Sequence, residues 1–178
     1  MPKKSEENKV YEYFRVDEVF ITGKHRNYVD ALWTKNKIKE SHIERLIDIY
    51  MMAVAIGLRT GRRAEEDRVD ELKRTVQTKQ LNENISTLTN LMRMVLILDE
   101  SRNLSVEQRI EEAFRIPETF EEYKKNMDLF NSYARGGTEV LYEELILKPV
   151  DMENDYGDAK ISNIVAFMKN PLEYEELI

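Results

Sequence analysis

The chain has 178 residues, 42% hydrophobic and 34% charged, a balance typical of one folded globular domain. It contains no cysteine and only 2 histidines, which excludes disulfides, thiolate metal sites and cysteine nucleophiles and leaves little room for histidine chemistry. No apolar run reaches the roughly 20 residues that span a bilayer, and the N-terminus lacks the apolar segment of a secretory signal, so we expect a cytoplasmic protein without membrane contact.

The net charge of -7 is distributed unevenly. Residues 21–63 carry nine Lys or Arg against four acids, whereas residues 138–178 carry ten acids against three Lys. A solvated surface with chance clustering is one interpretation. The other is a dipolar molecule whose basic end meets phosphates or an acidic protein and whose acidic end is repelled from DNA.

Residues 10–21 are rich in β-branched and aromatic side chains, a composition typical of a strand or an extended arm. Because the sequence shows no obvious second strand, we predict an arm packed across the helices and ending at Thr22-Gly23. The charged stretch 62–79 is read as a connection between helices.

The first helix is predicted from Ser41 to about Leu58, where apolar residues recur at helical spacing after the capping box Ser41-His42-Ile43-Glu44. Gly57 and Gly61 are predicted to bracket its end, since glycine adopts the left-handed conformation that closes many helices. A second long helix is predicted at 80–101, and the apolar faces of 43–58 and 85–98 are expected to pack together.

Later helices are predicted from capping signals and helix breakers. Ser105-Val106-Glu107-Gln108 and Thr119-Phe120-Glu121-Glu122 are each expected to start a helix. The second of these helices is predicted to stop at a corner formed by Gly136-Gly137, after which Thr138 caps another helix. A last helix is predicted to contain Ile161, Ile164, Val165 and Met168.

With no internal repeat and no long linker, we predict a single domain over 1–178. The fold class is all-α: an irregular bundle of five or six helices with an extended N-terminal arm. Residues 1–40 form the arm and a basic segment, 41–146 the helical core, and 150–178 an acidic loop and helix.

Catalytic and metal-binding patterns are weak. His25 and His42 have no partner at a zinc-ligand spacing and are interpreted as surface residues. The loop 151–158 alternates carboxylates as calcium loops do, but Tyr156 replaces the required glycine and Ser162 the terminal glutamate. With no phosphate-binding glycine loop and no nucleophile elbow, we predict a protein that is not an enzyme and uses no metal or cofactor.

The arginines Arg59, Arg62 and Arg63 lie within five positions just after the predicted helix. Guanidinium groups bind phosphates and carboxylates in a two-pronged geometry, so this cluster is predicted to bind a DNA backbone or an acidic partner. The alternative is a structural corner in which the arginines pair with the adjacent Glu65-Glu66-Asp67.

Two segments of the core form a joint pattern. It consists of Ala53, Ile56, Gly57, Leu58, Arg59, Gly61, Arg62 and Arg63, and then of Leu129, Phe130, Tyr133, Ala134, Gly136, Gly137 and Leu141. Together these segments resemble small accessory proteins of bacterial DNA sulfur-modification (phosphorothioation) systems, which belong to anti-phage islands. The resemblance covers about 43–146, and it implies no catalytic residues.

The resemblance implies a non-enzymatic accessory or adaptor protein of a defence or DNA-modification system, with protein subunits of that system as partners. Two alternatives remain open. One is a sequence-independent DNA-binding module that uses the arginine cluster, and the other is a structural protein of a phage or mobile element. Phosphate contacts would make affinity fall steeply with salt, which distinguishes the first alternative from subunit assembly.

Overall fold

A computed structural model describes residues 10–15, 17–33, 43–69, 71–147 and 159–169. Within these ranges the chain is mostly helical, as predicted, and also contains one pair of short antiparallel strands, which was not predicted. None of the described helices is both long and apolar enough to cross a bilayer. The elements are β1 (Val19–Thr22), α1 (Gly23–Leu32), α2 (Leu46–Thr60), β2 (Lys73–Val76), α3 (Thr78–Glu83), α4 (Ile85–Leu98), α5 (Val106–Phe114), α6 (Phe120–Tyr142), a π-helical turn (Glu143–Leu147) and α7 (Ala159–Lys169).

The N-terminal arm packs through its aromatic residues, as predicted, but its end is a strand with a partner. Phe14 is buried with its ring centroid 5.0 Å from that of Phe130. Strand β1 pairs with β2, Val19 opposite Val76. The partner was missed because β2 is half charged. Its Lys73 ammonium lies 3.7 Å from the Phe20 ring centroid, so the charge stays at the surface while the backbone pairs.

The described ranges contain seven α-helices, more than the five or six predicted, for two reasons. The basic segment after the arm contains α1, which buries Val29 and Leu32 and was not recognised as a helix. The helix predicted at 80–101 is divided at Asn84 into α3 and α4. The first helix was predicted to start at Ser41, but residues 43–45 are not helical and α2 begins at Leu46 with Arg45 as its N-cap. Ser41 itself lies outside the described residues.

The core is centred on α2, which packs mainly along α6 and also contacts α4, so the expected contact between 43–58 and 85–98 is present but secondary. Helices α5 and α6 begin as predicted: Ser105 and Gln108 form a complete capping box, and the Thr119 hydroxyl accepts a hydrogen bond from the Glu122 backbone N–H. The fully buried side chains include Ile47, Ile49, Val54, Leu88, Val95, Leu96, Phe130 and Leu141.

The predicted corner at Gly136-Gly137 is wrong. Helix α6 continues through both glycines to Tyr142, and neither has a positive φ. Thr138 does not cap a helix either, because its hydroxyl donates to the Ala134 carbonyl inside α6. A double glycine therefore does not end this helix.

The glycines instead allow two helices to approach closely. A Cβ on Gly137 would lie 1.7 Å from the Ala53 carbonyl oxygen, and a Cβ on Gly57 would lie 2.1 Å from the Tyr133 carbonyl oxygen. Gly57 is thus buried inside α2 and does not mark its end, contrary to the prediction. Only Gly61 acts as predicted, since it closes α2 with φ 67°.

Candidate functional site

The arginine cluster follows the C-terminus of α2, and its three members have different environments. Arg59 lies in the last helical turn, is exposed, and makes no ion pair with the residues that the structure describes. The left-handed Gly61 then turns the chain toward α6. A Cβ on Gly136 would lie 2.1 Å from the Arg62 carbonyl oxygen, so this turn sits directly against α6.

Arg62 is held by two carboxylates, one in α6 and one at the start of the π-helical turn that follows it. Its Nη2 donates to Glu143 Oε1 at 2.7 Å, its Nη1 donates to the other oxygen of the same carboxylate, and its Nε donates to Glu139 Oε2 at 3.2 Å. This two-pronged contact occupies most of the guanidinium donors. A DNA phosphate would therefore have to displace a protein carboxylate.

Arg63 is held in a similar way by the end of α4. Its Nη1 donates to Ser101 Oγ at 2.7 Å and lies 3.3 Å from Asp99 Oδ2. The buried Asp99 also accepts a hydrogen bond of 2.7 Å from the Tyr133 hydroxyl. Burial and this carboxylate raise the pKa of Tyr133, which keeps the phenol protonated as the donor.

Arg62 and Arg63 thus form a salt-bridged corner, but not with the residues predicted. Glu66 pairs with Arg68 at 2.7 Å, and Asp67 accepts the Lys24 backbone N–H at 2.8 Å. The partners of Arg62 and Arg63 come from 36 to 81 positions away. Spacing in the sequence does not indicate such pairs.

The buried Glu139 joins α1, α6 and the arginine corner. Its carboxylate lies 2.8 Å from Lys24 Nζ and 3.2 Å from His25 Nε2, in addition to Arg62. Burial by itself raises the pKa of Glu139, but the hydrogen bond and charge of Lys24, with His25 and Arg62, lower it overall. The carboxylate therefore stays ionised inside the fold.

His25 is in the core, whereas the sequence predicted a surface residue. It is 1% exposed, and its Nδ1 has no hydrogen-bond partner. Burial lowers its pKa more than Glu139 raises it, so the ring is held neutral. Among the described residues no group of His, Asp and Glu is arranged to hold a metal ion, and His42 and the loop 151–158 lie outside them.

Helix α5 presents a second candidate surface, which was not predicted from the sequence. Its buried side is formed by Arg109 and Ala113. Its exposed side carries Val106, Ile110 and Phe114, which are 53%, 45% and 65% exposed. These three side chains recur every four residues and form one stripe; we call them the α5 face.

Two depressions border the α5 face. Between the arm, α4 and the end of α5 lies a pocket of about 220 Å³, whose lining includes Ile85, Met92 and Phe114. Between α5 and the start of α6 lies an open groove of about 680 Å³. This groove is lined by the carboxylates Glu111, Glu112, Glu118, Glu121 and Glu122, with Arg115 and Lys125 as its basic residues.

The spacing of the α5 face was visible in the sequence, since Val106, Ile110 and Phe114 recur at i, i+4 and i+8. A stripe of this kind normally indicates the buried side of a helix. Only the structure shows that other residues of α5 are buried instead.

The chain matches no protein-family model, no curated protein and no solved structure.

Proposed function

We propose that this protein is a non-enzymatic adaptor that assembles with another protein through the α5 face. The observation that carries the proposal is the solvent-facing stripe of Val106, Ile110 and Phe114 on a capped helix whose adjoining side is buried. Single exposed apolar residues are ordinary, whereas a contiguous apolar stripe on a folded helix marks an interaction site.

The arginine corner supports adaptor function over the DNA-binding alternative. Two of its three guanidiniums are engaged by Glu143, Glu139 and Asp99, which leaves Arg59 as its only member without an ion pair among the described residues. A module that binds the DNA backbone needs several free cations, because each phosphate contact contributes only part of the affinity. One free arginine is a poor basis for such a module.

The resemblance to accessory proteins of DNA sulfur-modification systems supplies the cellular context of the proposal, with subunits of such a system as partners. Assembly through an apolar face also suits the remaining alternative, a structural protein of a phage or mobile element. The two contexts differ in the identity of the partner. Identifying what contacts the α5 face therefore distinguishes them.

The test is site-specific photocrosslinking in the cells that naturally produce the protein. A photoreactive phenylalanine analogue replaces Ile110 in one variant and Val69 in a matched control, because Val69 is 90% exposed and lies outside α5. We expect a discrete heavier adduct from position 110 alone. Equal adducts from both positions, or no adduct from position 110, would contradict the proposal.

The DNA-binding alternative has its own test. The Arg59→Ala variant and the unaltered chain are titrated against a labelled DNA duplex at about 50 and 200 mM salt, a range over which phosphate contacts lose affinity steeply. Adaptor function predicts weak binding that the substitution does not change. Tight binding that weakens in the Arg59→Ala variant and with salt would instead favour the DNA-binding module.

A further inference from the structure

We infer that the occupant of the α5 face is an amphipathic helix of another protein, with basic side chains along one flank of its apolar stripe. This inference rests on the proposed function and specifies the partner class. It depends on the shape of the apolar surface, on the charges that surround it, and on the exclusion of a second copy of this chain.

The shape of the surface fits a helix. Eight residue steps separate Val106 from Phe114, which corresponds to about 12 Å along an α-helix. Two turns of a partner helix present apolar side chains at i, i+4 and i+7 over a similar length. The pocket of about 220 Å³ beside Phe114, lined by Ile85 and Met92, can receive one of these side chains.

The charges beside the α5 face are mainly negative. Residues 99–122 contain eight acidic residues and three arginines. Each arginine is already engaged: Arg102 by Glu112, Arg109 by Glu100 at 3.5 Å, and Arg115 by Glu122 at 2.6 Å. The surface therefore has no excess of positive charge to offer a partner.

Three carboxylates near the stripe form no salt bridge with the described residues: Glu107, Glu111 and Glu121. Glu107 and Glu111 are exposed and follow Val106 and Ile110 by one position, so both lie on the same flank of the stripe. Lys125 in the groove offsets only part of this charge. A partner gains complementarity by placing Lys or Arg along this flank.

The opposite flank is different. On the α4 side, the Arg93 guanidinium lies 4.8 Å from the ring centroid of Phe114. It covers one face of the ring and adds a single positive charge there. The complementarity is therefore one-sided: basic residues of the partner belong beside Glu107 and Glu111, and not beside Arg93.

A second copy of this chain is a poorer occupant. The chain carries a net charge of -7, so two copies repel each other at low salt. Pairing one α5 face with another would also bring Glu107 and Glu111 close to the same carboxylates of the second copy. Like charges at such a contact oppose association, whereas a basic helix removes this cost.

The experiment uses the 178-residue chain and three labelled peptides of identical length. The basic peptide carries Leu at helical i, i+4 and i+7 spacing with Lys on one flank. The acidic peptide has Glu in place of Lys, and the scrambled peptide keeps the basic composition but has no apolar stripe. Fluorescence anisotropy measures binding. We expect the basic peptide to bind at least about tenfold more tightly than each of the other two.

Substitutions then assign the binding to the surface. Ile110→Ser is compared with Val69→Ser, and the double variant Glu107→Gln/Glu111→Gln with Glu65→Gln/Glu71→Gln, since all four glutamates are exposed. Circular dichroism confirms that each variant folds. We expect Ile110→Ser to reduce affinity at least about tenfold, and the first double variant to reduce affinity and flatten its salt dependence. The controls should bind normally.

The outcomes separate the two proposals. If the crosslink at position 110 forms but the basic and acidic peptides bind equally, the adaptor proposal stands and the basic-partner inference is overturned. Absence of any binding by the basic peptide also overturns the inference. If sedimentation shows a dimer that Ile110→Ser dissociates, a second copy is the occupant and the inference is wrong.

Discussion

The α2–α6 contact and the α5 face are both built from helices with apolar residues at three- and four-residue spacing. The two helices of the first bury each other's surfaces, whereas the α5 face is exposed to solvent. At the first, Gly57 and Gly137 let two helices meet with no room for a methyl group, and the adjoining arginines are bound by carboxylates. At the second, Ile110 and Phe114 face water. The paired charges and close backbone contacts of the first region hold the fold together. The exposed apolar side chains of the second are the basis of the proposed partner-binding site.

The largest expected effect on stability comes from forcing α2 and α6 apart. Gly137→Ala places a Cβ 1.7 Å from the Ala53 carbonyl oxygen, so α2 and α6 must separate. We expect a loss of about 4 kcal/mol or more in the free energy of unfolding, despite the roughly 1 kcal/mol that alanine gains in helix propensity. Urea denaturation measures it. Asp128→Ala on the exposed side of α6 is the control and should not destabilise.

The contrast between buried and exposed apolar residues gives the next effect. Leu91 in α4 is 9% exposed and Phe114 is 65% exposed. We expect Leu91→Ala to lower the free energy of unfolding by about 2–5 kcal/mol, the usual range for a core leucine. Phe114→Ala should change it by less than about 0.5 kcal/mol, as exposed substitutions do. Equal losses in chemical denaturation would mean that the α5 face is part of the core.

A matched pair of glutamates tests the same comparison through charge. Glu139→Gln removes a buried carboxylate from Lys24, His25 and Arg62, and we expect a loss of about 1–3 kcal/mol because charged hydrogen bonds at a partly buried site disappear. Glu111→Gln on the acidic flank should leave stability unchanged. Thermal and urea unfolding of the two variants provide the measurement. If Glu139→Gln leaves the free energy of unfolding unchanged, the ion pairs of Glu139 contribute little to stability.

The smallest effect is a pH dependence from His25. Burial lowers its pKa from the usual 6.5, so the unfolded chain binds the proton more readily than the folded protein. The contribution of neutral His25 to the free energy of unfolding is therefore complete above about pH 6.5. It decreases as the pH falls below this value, by at most about 1.4 kcal/mol per pH unit. Glu139, whose pKa is also lowered, contributes in the same direction, but only at more acidic pH.

The His25→Gln variant isolates this titration, because glutamine keeps a donor for Glu139 and has no proton to gain. Urea denaturation between pH 7.5 and 5.5 should show a smaller slope in the variant than in the unaltered chain. Parallel slopes would indicate that a group other than His25 causes the pH dependence.

Much of the helical architecture follows from local signals. The capping box of Ser105 and Gln108, the cap at Thr119 and the left-handed end at Gly61 are interactions between residues no more than four positions apart. They were predicted correctly because both partners are visible within one turn of the chain. The recognition role of Arg59, Arg62 and Arg63 stays a prediction.

A mainly helical chain and the starts of α5 and α6 are predictable from local sequence, since they depend on neighbouring residues. Which side of each helix faces inward is set by long-range packing. The partners of Arg62, the pairing of β1 with β2 and the passage of α6 through Gly136-Gly137 all depend on distant residues. For α5 the spacing predicts a stripe, but whether that stripe meets the core or water depends on which of its sides the other elements cover.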